Sequence, residues 1–201
     1  MKTKRARPPH LPGSHERRQS LARVSKIDPQ NAPEAVKAVI RAHIAQGRKL
    51  TNEKLTLLHN VSAFNAVEAG SYNLDDDLQR LIGSLDGDLY EYAISVSNEC
   101  VVCTTYFSKL LRQKYGLDPK TYHLTKRQEM LMQFAQKMGH DPKSITDDEF
   151  KALKEDFIRN GGKDGEPVTE EKADEIMVVL VAMGAMMVAN NYVNDALRVD
   201  V

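Results

Sequence analysis

The sequence predicts an all-α fold of about seven or eight helices, and three observations carry that expectation. Apolar residues recur at helical spacing in successive segments that open on capping residues and close on glycine. Two stretches, Thr125 with Gln128 and Thr146 with Glu149, match the capping box, in which a hydroxyl and an N3 side chain satisfy each other's backbone amides. No segment alternates cleanly as a strand does, and no glycine-rich phosphate loop or internal repeat interrupts the pattern. The 201 residues, 41% hydrophobic and 28% charged, are globular values that exclude wholesale disorder and a multi-span membrane protein. They suit one domain with a tail.

The elements follow in order. Asn31 precedes a helical run over 32–47, with Pro33 in its first turn and Gly47 as its stop. Thr51 opens a helix that ends at Gly70 and keeps Leu55, Leu58, Val61 and Ala63 on one face. Short helices are expected over 74–84 and 88–97. Asn98 reads as the N-cap of a helix that Gly116 closes. The two capping boxes start the next two helices, ahead of Glu129 and Phe150. Residues 160–167 (NGGKDGEP) form a connector, and Thr169 caps the last helix, whose first turn carries the acids that the helix dipole favours.

Charge is balanced overall at 28 Lys+Arg and 28 Asp+Glu, but its distribution is not even. Residues 1–26 hold eight basic residues against one acid, Glu16, so a basic arm precedes an acidic domain over 27–201. The arm lacks the interleaved aromatics of a nucleic-acid binder, so a strap onto a neighbouring subunit or a solvated tail is expected. The N-terminus has no apolar core of a secretory signal. The longest apolar run, Ile176 to Ala189, falls short of the roughly 18 residues that span a bilayer. Being apolar on every face, it predicts burial in a core and against another subunit.

The two cysteines, Cys100 and Cys103, stand three apart. A secreted disulfide scaffold would carry more, spread along the chain, so a reducing compartment is expected. Two thiols in C-x-x-C near a helix start can close into a disulfide and reopen, and helix amides raise the thiolate fraction. Zinc would need about four ligands, and no second pair exists; the nearest histidines in sequence are His59 and His123. Two inert core cysteines are the other alternative.

The segment DLYEYAISVSNECVVCTTYFSKLL resembles the alkylhydroperoxidase D-like (AhpD-like) branch of the carboxymuconolactone decarboxylase family. That family reads Glu, a helix of small apolar residues, Asn-Gly-Cys-x-x-Cys, three residues and His. Two later blocks, LTKRQEMLMQFAQKMGHDPKSITDDEF and the final apolar helix, resemble the family's downstream stretches, so the likeness runs over roughly residues 30–200. It implies an all-α thiol peroxidase or disulfide reductant, in a trimer or hexamer, acting on a hydroperoxide and re-reduced by a dithiol protein. It implies no metal, flavin or haem, and a cytoplasmic setting. Cys103 becomes the peroxidatic thiol and Cys100 the resolving one.

Three departures bear on that chemistry. The family's relay Glu falls at Asp88, with Glu91 one turn on as a substitute. The relay His falls at Phe107, which moves no protons. Glu99 stands where the family has Gly, and a carboxylate beside a thiol opposes its ionisation. The alternatives are a non-enzymatic assembly or binding protein with vestigial cysteines, and a lactone-decarboxylase-like lyase, a branch that normally lacks C-x-x-C.

Overall fold

The fold, taken from a computed structural model, is described for residues 22–201. Among these residues are eight α-helices, two short 3-10 turns and no strand. They are α1 (Glu34–Ala45), α2 (Asn52–Leu57), α3 (Val61–Ile82), α4 (Ser84–Ser97), α5 (Val101–Tyr115), α6 (Lys126–His140), α7 (Asp147–Asn160) and α8 (Glu170–Leu197). Residues 1–21, most of the basic arm, lie outside the described residues.

Local chemistry explains most boundaries. Both capping boxes form: Thr125 and Gln128 start α6, and Thr146 and Glu149 start α7. Thr169 caps α8 through the amide of Lys172, and Gly116 ends α5 in the left-handed conformation at φ 68°. Other expected boundaries differ. The helix expected over 51–70 breaks after Leu57, because the Asn60 side chain accepts the amide of Ala63 and starts a new helix. That new helix, α3, then runs through Gly70 and absorbs the short helix expected at 74–84. Gly70 does not stop α3; a Cβ there would meet the flexible end of the Met186 side chain of α8.

Helix α4 is the hub. It packs against α3, α5, α6 and α8, and its residues from Gly87 to Ser95 are all buried. Two glycines let neighbours approach. A Cβ at Gly139 of α6 would lie 2.9 Å from Ser97 Cβ, and one at Gly184 of α8 would lie 2.8 Å from the Tyr90 hydroxyl. That hydroxyl, fully buried, donates to the Leu180 carbonyl at 2.7 Å. The main core gathers Leu78, Tyr90, Ile94, Leu111, Phe157 and Leu180 with their neighbours. A smaller one, around Ile40, Leu58 and Phe64, joins α1 to α2 and α3.

The run Ile176–Ala189, expected to fall short of a bilayer span, is part of the 28-residue helix α8, which by length and hydropathy alone could cross one. Here one side of it, including Ile176, Leu180, Met183 and Met187, is core. The opposite side leaves Val178, Val181 and Tyr192 exposed, an apolar stripe at helical spacing. The last residues of the arm that are described dock on the same chain. Arg23 donates to the Leu197 and Ala196 carbonyls at the C-terminal end of α8, where cations are favoured, and Lys26 pairs with Asp200.

Candidate active site

The turn from α4 to α5 builds the cysteine site. Asn98 is not the N-cap of α5 that the sequence suggests; it ends α4, its amide bonding the Gly139 carbonyl of α6. Asn191 of α8 donates to Asn98 Oδ1 at 2.9 Å, so this fully buried amide serves the chain's own turn. Glu99 then takes a left-handed φ of 59°, which accounts for the glycine of the resembled pattern at this place. Its side chain is exposed. The carboxylate that opposes Cys100 ionisation is Asp195 of α8.

With the chain reversed at Glu99, Cys100 becomes the N-cap of α5. Its sulfur accepts the Cys103 amide at 3.5 Å. Both thiols are free and buried, but unequally placed. Cys100 has no exposed surface, whereas Cys103 forms part of the wall of a cavity of about 520 Å³. The hydrogen bond from the Cys103 thiol and the helix-start amide hold the Cys100 thiol below the usual cysteine range. The same bond keeps the proton on Cys103, and burial and the Glu53 charge push it further up. The reachable thiol is thus the one that needs help to ionise.

The cavity lies between α2, α3, α4, α5 and α8. Asp88 and Glu91, the carboxyls the sequence picks out, do line it, together with Phe107. Asp88 is tied down: it accepts from Lys114 Nζ at 3.1 Å and from the Tyr115 hydroxyl at 2.6 Å. Burial pushes the Glu91 carboxyl well above the usual range, and Asp75 and Asp88 add to this.

Two further residues in contact with this site carry no local motif. Glu53 of α2 lines the cavity, and its buried Oε1 has no hydrogen-bond partner. Burial pushes its carboxyl up to about 7; Asn194 and Lys54 draw it down, and Glu68 raises it. Asn194 of α8, almost fully buried, donates Nδ2 to Cys103 Sγ at 3.4 Å. Its one sequence signal is its place in the polar end of an otherwise apolar helix. Beside Glu53, the buried Glu68 takes His43 and Lys54 each at 3.3 Å, while Lys54 also bonds the Tyr72 hydroxyl. His43 is thereby a packed structural histidine. Among the described residues no group of three or more His, Cys, Asp or Glu side chains is gathered to hold a metal ion.

This all-helical architecture, with a C-x-x-C pair at the start of its fifth helix, is an AhpD-like fold. It is similar to a crystal structure of an alkylhydroperoxidase AhpD core, an uncharacterized peroxidase-related protein from Ralstonia eutropha JMP134. The likeness has a TM-score of 0.65 at 19% identity and covers 89% of this chain and 91% of that one. No protein-family model matches the chain, and no curated protein does.

Proposed function

We propose that the chain belongs to the AhpD-like branch and is a thiol-dependent peroxidase and disulfide oxidoreductase that works through Cys103 and Cys100. One observation carries this: Cys103 lines a cavity while Cys100, the more readily ionised thiol, lies behind it with no exposed surface. The fold it shares with a peroxidase-related protein supports the same reading.

The Cys103 thiolate attacks the outer oxygen of a hydroperoxide. The O–O bond breaks, leaving a sulfenic acid on Cys103 and an alkoxide that takes up a proton to become the alcohol. The Cys100 thiolate then attacks the Cys103 sulfur, forming the disulfide as hydroxide leaves and takes a proton to become water. A dithiol protein reduces that disulfide by two exchanges and ends as a disulfide itself. The Cys103 backbone amide that bonds the Cys100 sulfur remains when Cys103 is oxidised and favours the Cys100 thiolate, which suits a resolving thiol with no base of its own. Val67, Val102, Leu110, Met183 and Met187 give the cavity apolar walls for an organic group, so alkyl hydroperoxides are the substrate class. A dithiol supply fits a cytoplasmic protein.

With dithiothreitol as reductant, the protein is expected to consume tert-butyl hydroperoxide and yield one oxidised dithiothreitol per peroxide. Consumption no faster than dithiothreitol alone would contradict a peroxidase.

A further inference from the structure

We infer that Glu53 is the acid–base group of the Cys103 reaction, taking the thiol proton as the peroxide is attacked and returning it to the leaving alkoxide. This deepens the peroxidase reading and rests on it.

The geometry leaves few alternatives. The ring at the relay position, Phe107, has no proton to exchange. Asp88 already accepts from Lys114 and Tyr115, and burial, with Asp75 and Asp88 beside it, pushes the Glu91 carboxyl well above the usual range. Glu53 enters the same cavity from α2, on a different element, with a buried oxygen that no donor satisfies. Asn194 joins it to the thiol, lying against the Glu53 carboxyl and donating to Cys103 Sγ at 3.4 Å.

The electrostatics run the same way. The titratable groups that face Glu53 are Lys54 on its own helix, Glu68 and Tyr72 on α3, and Cys103 on α5. Ionised, Glu53 disfavours a thiolate at Cys103. Moving the proton from Cys103 to Glu53 removes that repulsion, because the single negative charge passes from carboxylate to sulfur. A carboxyl that titrates at about 7 is matched to this exchange near neutral pH.

The step balances. Cys103–SH and Glu53–COO⁻ give the thiolate and Glu53–COOH. The thiolate takes the outer OH of ROOH, giving Cys103–SOH and RO⁻. Glu53–COOH protonates RO⁻ to ROH and is again a carboxylate.

The test is the single-turnover rate of thiol loss with tert-butyl hydroperoxide from pH 5 to 9. In the unmodified protein the rate should rise through about pH 7, as Glu53 loses its proton. Glu53→Gln should lower the rate at pH 7 by about 100-fold and remove that rise. Glu53→Asp, which keeps a carboxyl, should recover part of the rate with the rise displaced. A role in packing alone would not move the pH profile. An active unmodified protein whose Glu53→Gln variant keeps both rate and profile overturns the assignment and leaves the peroxidase standing. An unmodified protein inert to peroxide overturns both. Should Glu53→Gln not fold, Glu53→Asp decides: a slower, displaced profile supports the role and an unchanged one overturns it.

Discussion

Replacing Cys103 by Ser is expected to abolish peroxide reduction, a loss on the order of 10³-fold or more, whereas Cys100→Ser should still complete the first oxidation. The asymmetry follows from position. Cys103 alone lines the cavity, and Cys100 is sealed behind it with no exposed surface. A serine hydroxyl at position 103 is neither acidic nor soft enough to attack an O–O bond. In Cys100→Ser the sulfenic acid on Cys103 has no resolving thiol and should persist. Trapping with dimedone and mass spectrometry reads this directly: an adduct on Cys103 in Cys100→Ser, and none in Cys103→Ser. An adduct on Cys100 in Cys103→Ser would reverse the two roles.

The substitution Phe107→His is expected to raise peroxide turnover at pH 7 by about tenfold or more. Phe107 is one helical turn beyond Cys103 on α5 and faces the same cavity, so an imidazole there stands beside the thiol. With an ordinary pKa near 6.5 it is a base at pH 7. General acid–base catalysis contributes about 10²- to 10⁴-fold in all, part of which Glu53 already supplies. The larger gain should therefore appear in Glu53→Gln/Phe107→His over Glu53→Gln. The ring is buried and meets Tyr106 edge-on at 5.1 Å, so some stability is lost; burying the imidazole costs about 1–3 kcal/mol. Steady-state rates beside thermal melts separate the two effects. A folded Phe107→His protein with no gain would show that proton transfer at Cys103 does not limit the reaction.

What the sequence reveals of the fold is what depends on neighbours in sequence. The boxes at Thr125 and Thr146, the cap at Thr169 and the stop at Gly116 are each closed within a few residues, so their residue types suffice. Gly70 misleads because a lone glycine costs a helix interior only about 1 kcal/mol, which the packing of α3 against α8 outweighs. Asn98 misleads for a related reason. It has the type of an N-cap, but α6 and α8 bind its side chain, and the left-handed Glu99 passes the cap to Cys100.

The site divides the same way. Cys100, Cys103, Asp88 and Glu91 belong to one continuous segment, and the cavity does receive Cys103 and both carboxyls. Glu53 and Asn194 come from helices at opposite ends of the domain, and only packing brings them to Cys103; Asn194 lies 91 residues away along the chain. A lone Glu in a short helix carries no signal until its burial is known.

Counting free thiols through one redox cycle tests the central claim most directly. The reduced protein holds two, Cys100 and Cys103. Addition of one equivalent of tert-butyl hydroperoxide should take the count to zero, with a mass loss of two hydrogens and no change in subunit size. Dithiothreitol should then restore two. Two thiols that persist through the oxidant would contradict a redox pair and leave cysteines that only fill the start of α5.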